Sequence, residues 1–277
     1  MGRLRRIDAE LVRRKLASSR DEARRLVEGG RVRLDGATVT KPARQIDPAQ
    51  AIVVDDADLE HYASRGAYKL AGVMDLLGDR APVIEGRRII DAGASTGGFT
   101  DVLLRRGARE VLAIDVGYGL LAWRLREDPR VTVMERMNVR NLRPEDVAPA
   151  PDMVVGDLSF ISLTLVLPAL VGAVRNDADF LLMVKPQFEV GKERLGHGGV
   201  VRNLDHHKET VGTVARCAMD LGLDIADVAA SPLPGPAGNV EYFLSMRRDH
   251  PDPVTDVAAA IHTAVLDGPA PGLFGKV

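Results

Sequence analysis

A single cysteine, Cys217, stands in 277 residues. One thiol excludes an intramolecular disulfide framework and any metal cluster built from cysteines. The adjacent His206 and His207 fall in a helical pattern, where neighbouring side chains point apart, so no metal site is expected. Long apolar runs are lacking as well. The longest, "ISLTLVLPALVGAV", has 14 residues and is broken by Pro168, short of the about 20 that a helix needs to cross a bilayer. No basic segment followed by an apolar one opens the chain, so the cytoplasm is the expected location and no membrane partner is expected. With 45% hydrophobic and 27% charged residues, disorder is excluded as a description of the whole. The length suits one large domain, or a large and a small one.

The net charge of −2 conceals a division. Residues 1 to 44 hold 13 arginines and lysines against 6 acids, a surplus of +7, and the remainder carries −9. A basic head on an acidic body points to nucleic acid contact at the N-terminal end.

In the head, Leu11, Val12 and Leu16 have helical spacing, with Asp8 as the expected N-cap. Ser19 and Glu22 form a capping-box pattern ahead of a second helix. That helix has an apolar stripe of Ala23, Leu26 and Val27, and Gly29-Gly30 stop it. "RVRLDGATVT" then alternates around the hairpin signal Asp35-Gly36, and "AIVV" closes the unit near residue 54. This pattern over about residues 5 to 55 resembles the S4 RNA-binding module. Arg20 and Arg24 lie one helical turn apart and can grip successive phosphates. Arg6 and Lys41 join them as candidate RNA contacts, and shape rather than sequence is the expected basis of recognition. "DDADLEHYA" is acidic and aperiodic and reads as connection. The expected domains are 1–59, a linker at 60–63, a large body at 64–248 and a C-terminal helix or tail at 249–277 with no assigned role.

From residue 82 onward, apolar runs alternate with helical segments. Strands are expected at 87–91, 110–116, 131–135, 152–157, 180–185, 224–231 and 239–247. This alternation implies an α/β fold, a mainly parallel sheet covered on both faces, with an antiparallel hairpin of the last two strands at one edge. After the first strand comes "DAGASTGGFT", a glycine-rich strand-to-helix turn running into a helix N-terminus that favours an anionic group. Asp115 ends the next strand, 24 residues beyond Asp91, where an acid can accept both ribose hydroxyls of an adenosine cofactor. The loop departs from the dinucleotide pattern GxGxxG, because Ser95 stands where the second glycine belongs. It resembles motif I of S-adenosylmethionine-dependent methyltransferases, with their Rossmann-like seven-stranded sheet. That resemblance implies cofactor contacts from Asp91, Gly93, Ala94, Ser95, Thr96, Gly97, Gly98, Phe99, Asp115, Val116, Asn138 and Asp157.

Four charged residues stand at the rim of this sheet. Lys69 is in a helix before the first strand, Asp157 ends "MVVG", Lys185 ends "FLLMV", and Glu241 lies early in the last strand. Read singly they are a surface lysine, a helix N-cap, a strand terminator and an edge-strand acid. In order they resemble the K-D-K-E tetrad of RrmJ/FtsJ-type 2′-O-ribose methyltransferases. On that resemblance Lys185 is the general base for a ribose 2′-hydroxyl. Lys69 is the like-charge neighbour that favours the neutral amine and steadies the alkoxide, and Asp157 and Glu241 orient the lysines.

Head and body together resemble the TlyA, or haemolysin A-like, family of rRNA 2′-O-methyltransferases over about residues 4 to 248. The matching stretches include "SRGAYKL", "GDLSFISL", "KPQFEVGKE" and "GGVVRN". The resemblance implies cytidine methylation in ribosomal RNA of one or both subunits (16S, 23S), sensitivity to tuberactinomycin-class antibiotics, ribosomal partners and action as a monomer. Phe188 is a candidate platform for an extruded nucleotide, with a packed phenylalanine in a surface loop as the plain alternative. Arg65 and Lys192 are candidate phosphate contacts, and the glycines at 191, 196, 198 and 199 suit a loop that orders on binding. Trp123 is expected to pack a helix on the sheet. Three rival readings are a non-catalytic RNA-binding assembly factor, a haemolysin, which lacks any visible membrane-seeking segment, and an S4-linked pseudouridine synthase, against which the methyltransferase-type loop argues.

Overall fold

The computed structural model describes residues 4–14, 16–17, 19–48, 50–54 and 62–269. The chain divides into two compact units, residues 1–61 and 62–277. Residues 55–61, which include the first half of the expected linker, and 270–277 of the tail lie outside the described residues. Tyr62 and Ala63 pack against the core of the second unit.

The first unit opens with a short strand, β1 (Arg5–Arg6), running directly into α1 (Ile7–Arg13), so Arg6 takes the N-cap position. Asp8, expected there, sits inside the first turn, where its Oδ1 accepts from the Ala9 N–H at 2.7 Å. The helix also ends before Leu16, which packs partly buried against the core. α2 (Arg20–Glu28) begins as expected, the Ser19 hydroxyl accepting from the Glu22 N–H at 3.2 Å. Strands β2 (Val32–Leu34) and β3 (Ala37–Val39) pair in register Val32↔Val39, turned by Asp35-Gly36 with both residues at positive φ. β4 (Gln45–Ile46) pairs with β1, and β5 (Ile52–Val54) covers the other edge of β2. Ile7, Leu11, Leu26, Val27, Val32 and Ile46 fill the core between them.

In the second unit, α3 (Ala67–Leu77) precedes β6 (Arg88–Ala92), α4 (Gly98–Arg105), β7 (Glu110–Asp115), α5 (Trp123–Arg126) and β8 (Val131–Glu135). Then follow β9 (Met153–Gly156), α6 (Leu163–Ala173), β10 (Asp179–Val184), α7 (Pro186–Glu189), α8 (Leu204–Asp220), β11 (Asp224–Ala230), β12 (Tyr242–Arg247) and α9 (Val257–Asp267). All seven expected strands form one sheet in the order β11-β12-β10-β9-β6-β7-β8, with β12 antiparallel to both neighbours. β6, β9 and β10 are buried along their whole length, because helices cover both faces and each side chain meets apolar surface. One face packs on α3 and α4, and the other on α6, α8 and α9. α9 lies in the tail and contributes Ile261, Ala264 and Val265 to that second core.

Trp123 does not pack on the sheet: it is 72% exposed, while Leu125 of the same single-turn helix is buried. One turn offers one inward face, and Leu125 occupies it. Strand order reverses between β6 and β9, which opens a crevice at the carboxyl ends of these strands. Among the described residues no helix is long and apolar enough to cross a membrane, and no cluster of three metal-ligating side chains occurs.

Candidate functional site

The glycine-rich turn follows β6 in that crevice. The N–H groups of Gly93 and Ala94 both donate to the Ile114 carbonyl, at 2.8 and 3.1 Å, which folds the turn over the end of β7. Ser95 adopts φ +49° and donates its N–H to Asp115 Oδ2 at 2.8 Å, while Gly117 N–H donates to Oδ1 at 2.7 Å. Asp115 thus ties together the two loops where a ribose acceptor is expected. Each of its oxygens keeps a lone pair for a further donor. Gly97 caps α4 at φ +95°, and a Cβ there would collide with the Leu125 methyl. Its glycine serves the backbone and the packing beneath the loop.

Asp91 is fully buried. Its Oδ2 accepts from the Thr100 hydroxyl at 2.6 Å, and its Oδ1 has no partner. Burial pushes this carboxyl up to about 7 against the Thr100 hydrogen bond, and the charges of Asp157 and Asp115 add to the rise.

A cavity of about 280 Å³ opens above the turn, lined by Gly93–Thr96, Gly98 and Phe99 together with Arg65, Lys69, Asp157 and Lys185. Of the tetrad candidates, Lys69, Asp157 and Lys185 line it, Glu241 lies behind Lys69, and the four form two pairs. Lys185 Nζ lies 2.5 Å from Asp157 Oδ1 and donates to the Ser159 hydroxyl at 2.8 Å. The Asp157 contact is an ion pair off the line of a hydrogen bond, since that oxygen otherwise has no hydrogen-bond partner. Lys69 Nζ donates to Glu241 Oε2 at 2.5 Å, and Gln187 Nε2 donates to Glu241 Oε1 at 3.3 Å. Glu241 stands one residue before β12 rather than within it, nearly fully buried, behind Lys69. Space around it is tight: a Cβ on Gly235 would come within 2.8 Å of Oε1.

The residues flanking Glu241 hold a neighbouring loop. Asn239 Oδ1 accepts from Val201 N–H and its Nδ2 donates to the Gly199 carbonyl, both at 2.9 Å. Tyr242 Oη lies 2.8 Å from His207 Nδ1, and His207 Nε2 lies 2.9 Å from the Val201 carbonyl. A carbonyl only accepts, so Nε2 carries the imidazole proton and Nδ1 accepts from the tyrosine hydroxyl. The downstream end of the loop that carries the glycines at 191, 196, 198 and 199 is therefore anchored.

Ser159, Ser64, Pro234 and Pro236 also line the cavity, and the sequence patterns do not single them out. Ser159 carries one signal, its place two residues beyond Asp157. Phe188 is half-buried beside Phe160, ring centroids 5.0 Å apart, with Lys185 Nζ 5.9 Å from its ring. Phe160 is 91% exposed at φ +65°. Asn138 caps a short turn, its Oδ1 accepting from Arg140 N–H at 3.0 Å, and Val116 and Lys192 are exposed. In the first unit Arg24 is exposed on α2, and Lys41 lines a surface groove with Thr38 and Arg44. Arg20 and Arg6 both approach Asp8.

The model of the FtsJ-like methyltransferase family matches residues 62–248, and that of the S4 domain matches residues 5–52. The chain is 52% identical to the 16S/23S rRNA (cytidine-2′-O)-methyltransferase TlyA of Mycobacterium tuberculosis, over 97% of this chain and 100% of the relative. It is 33% identical to Hemolysin A of Brachyspira hyodysenteriae, over 81% of this chain and 92% of the relative. A solved structure described as a hemolysin from Streptococcus thermophilus superposes with a TM-score of 0.70 at 36% identity, covering 95% of this chain and 94% of that one.

Proposed function

The chain belongs to the FtsJ-like methyltransferase family, carries an S4 domain and uses S-adenosylmethionine, and on that premise we propose that it methylates the 2′-oxygen of cytidine in ribosomal RNA. The observation that carries this reading is that two lysines, each paired with a carboxylate, line one cavity beside the glycine-rich turn. The relative that is 52% identical carries that activity in its name, for both 16S and 23S RNA.

The residues present fit the cofactor. The partnerless Asp91 Oδ1 and the Asp157 carboxylate suit its cationic end, and the N-terminus of α4 suits its carboxylate. Asp115 suits its ribose, and the Gly98 and Phe99 N–H groups in the first turn of α4 are backbone donors that the turn leaves for it. Bound, it supplies an electrophilic methyl group. Lys185, acting as the amine, takes the proton of the 2′-hydroxyl at Nζ, a role worth about 10²–10⁴ in rate. Asp157 and Ser159 fix Nζ from two sides, so it holds one position as the proton moves. Lys69, held by Glu241, presents its ammonium to the oxygen that gains charge. Arg65 at the cavity mouth takes a phosphate, and Phe188 offers a ring to the displaced base. The S4 unit grips the RNA through Arg6, Arg20, Arg24 and Lys41, and in the body Lys192 takes a phosphate. The protein works as a monomer in the cytoplasm, and its product sensitises the ribosome to tuberactinomycin-class antibiotics.

The test is transfer of labelled methyl into isolated 30S and 50S subunits, with the modified nucleotide mapped. Wild type labels a cytidine 2′-oxygen, and Lys185→Ala loses transfer while still binding the cofactor. Full transfer by Lys185→Ala sinks the assignment of the base, and absence of label in either subunit sinks the substrate.

A further inference from the structure

Two acids buried in the first unit organise its arginines. Glu10, almost wholly shielded, accepts from Arg13 at 2.5 and 2.8 Å and from Arg14 at 2.9 Å. Asp8 is 3% exposed and does something different. Arg6 reaches it with two donors, Nε to Oδ1 at 3.1 Å and Nη2 to Oδ2 at 2.7 Å, and Arg20 Nη2 lies 3.4 Å from Oδ1. Arg6 precedes α1 and Arg20 opens α2, so Asp8 makes neighbours of guanidinium groups that start on different elements. Both side chains stay open to solvent, at 41% and 57%. A guanidinium has five N–H donors, so the two that Arg6 gives to Asp8 leave three for a ligand. Burial works against the charge on Asp8, but the Arg6 hydrogen bonds, the Ala9 N–H and the Arg20 charge outweigh it and hold its carboxyl below the usual range.

We propose that Asp8 is a positioning residue for RNA binding: it presets Arg6 and Arg20 as a pair that takes two phosphates at once. This rests on the reading that the S4 unit binds ribosomal RNA. A free arginine side chain carries about 2 kcal/mol of rotamer entropy, and a pair fixed beforehand loses less of it on binding. Charge alone predicts the opposite sign, because Asp8 is an anion near a polyanion. Removing it relieves repulsion and should then tighten binding. Positioning makes the anion necessary.

The experiment measures equilibrium binding of the full chain to purified 30S and 50S subunits across a salt series. It compares Asp8→Asn, Arg20→Ala, Arg6→Ala/Arg20→Ala and the triple variant Asp8→Asn/Arg6→Ala/Arg20→Ala. Asparagine keeps the size of the side chain and can still accept from Ala9 N–H. Asp8→Asn is expected to weaken binding about 3–10-fold although it makes the chain more positive, and Arg20→Ala to lower the salt slope by about one contact. Adding Asp8→Asn to the double arginine variant should change nothing, which a general folding defect would not reproduce. Binding as tight as wild type or tighter in Asp8→Asn, with Arg20→Ala weakened, overturns the positioning role and leaves the RNA reading intact. Wild-type binding and slope in the double arginine variant overturn both. An equal loss from Asp8→Asn in both backgrounds makes Asp8 a folding residue and overturns the proposal.

Discussion

Lys69 and Glu241, 172 residues apart in the chain, share a hydrogen bond of 2.5 Å with both side chains at most 8% exposed. The pair fastens α3 to the start of β12 across the cavity's inner wall. Two charges held that far from water owe their stability to each other and to Gln187, the second donor on the carboxylate.

Removing one partner leaves an uncompensated buried charge, which costs about 3–5 kcal/mol. Glu241→Ala is therefore expected to lose that much in urea unfolding and to lose methyl transfer. Glu241→Gln keeps an oxygen toward Lys69, so it should lose less stability while transfer still falls at least tenfold. Equal transfer in Glu241→Gln and wild type would show that the negative charge has no part in the reaction.

Ser159 tests how finely Lys185 is held. Its hydroxyl accepts one of the three ammonium donors. Ser159→Ala should lower kcat about 3–10-fold, the cost of one hydrogen bond of 0.5–1.5 kcal/mol, with cofactor affinity held within twofold. A matching loss in cofactor binding would move Ser159 from the lysine to the cofactor.

The sheet is legible in the sequence because its central strands are buried on both faces, so "RIIDA", "MVVG" and "DFLLMV" read as apolar runs bounded by turns. The four charged candidates can also be picked out in the sequence, Asp157, Lys185 and Glu241 beside strand ends and Lys69 in the helix ahead of the sheet. Their pairing is not legible. Chain order does not say which lysine meets which acid, and sheet order only narrows it: Lys185 follows β10, which lies between β9 with Asp157 and β12 with Glu241. Only three-dimensional packing gives Glu241 to Lys69. Trp123 misleads because hydrophobicity does not say which side of a one-turn helix faces the core. Asp8 misleads as a cap because two residues of strand lie directly before the helix and move its start upstream. The role of the tail's α9 is not legible because "VAAAIHTAVLD" is short and mostly small residues, and its stripe of Ile261, Ala264 and Val265 shows only once a face awaits it.

His207 gives the fold an acid limit. Burial, with the His206 charge adding to it, holds its imidazole below the ordinary value, while the Val201 carbonyl works the other way. Its folded pKa is thus below the unfolded one of about 6.5, so the unfolded chain takes the proton first. The stability from this site is present above about pH 6.5 and lost as pH falls through the depressed value. Urea midpoints for wild type and His207→Gln should converge between about pH 7.5 and pH 5. A constant gap across that range would show that His207 does not titrate with unfolding.

Asp91 works in the opposite direction. Its folded carboxyl stands at about 7, against roughly 3.9 in an unfolded chain. The folded state then holds the extra proton between about pH 4 and 7, so this site favours folding below about pH 4 and loses that advantage as pH rises to 7. At pH 8 the ionised, partnerless oxygen carries a penalty on the order of 4 kcal/mol, because the folded and unfolded values stand about three pH units apart and each unit is worth roughly 1.36 kcal/mol. Asp91→Asn removes the titration and should gain stability relative to wild type at pH 8 while showing no gain at pH 4. Cofactor binding follows the same proton with the reverse sign. An ionised Asp91 attracts the cationic end of S-adenosylmethionine and a protonated one does not, so wild-type affinity should fall as pH drops from 8 to 6, by up to about tenfold per unit below 7. Asp91→Asn should bind more weakly at pH 8 and show a flat profile. Calorimetric titrations at pH 6, 7 and 8 read both; a wild-type affinity that does not change with pH would remove Asp91 from the cofactor's contacts and leave its burial as a structural matter alone.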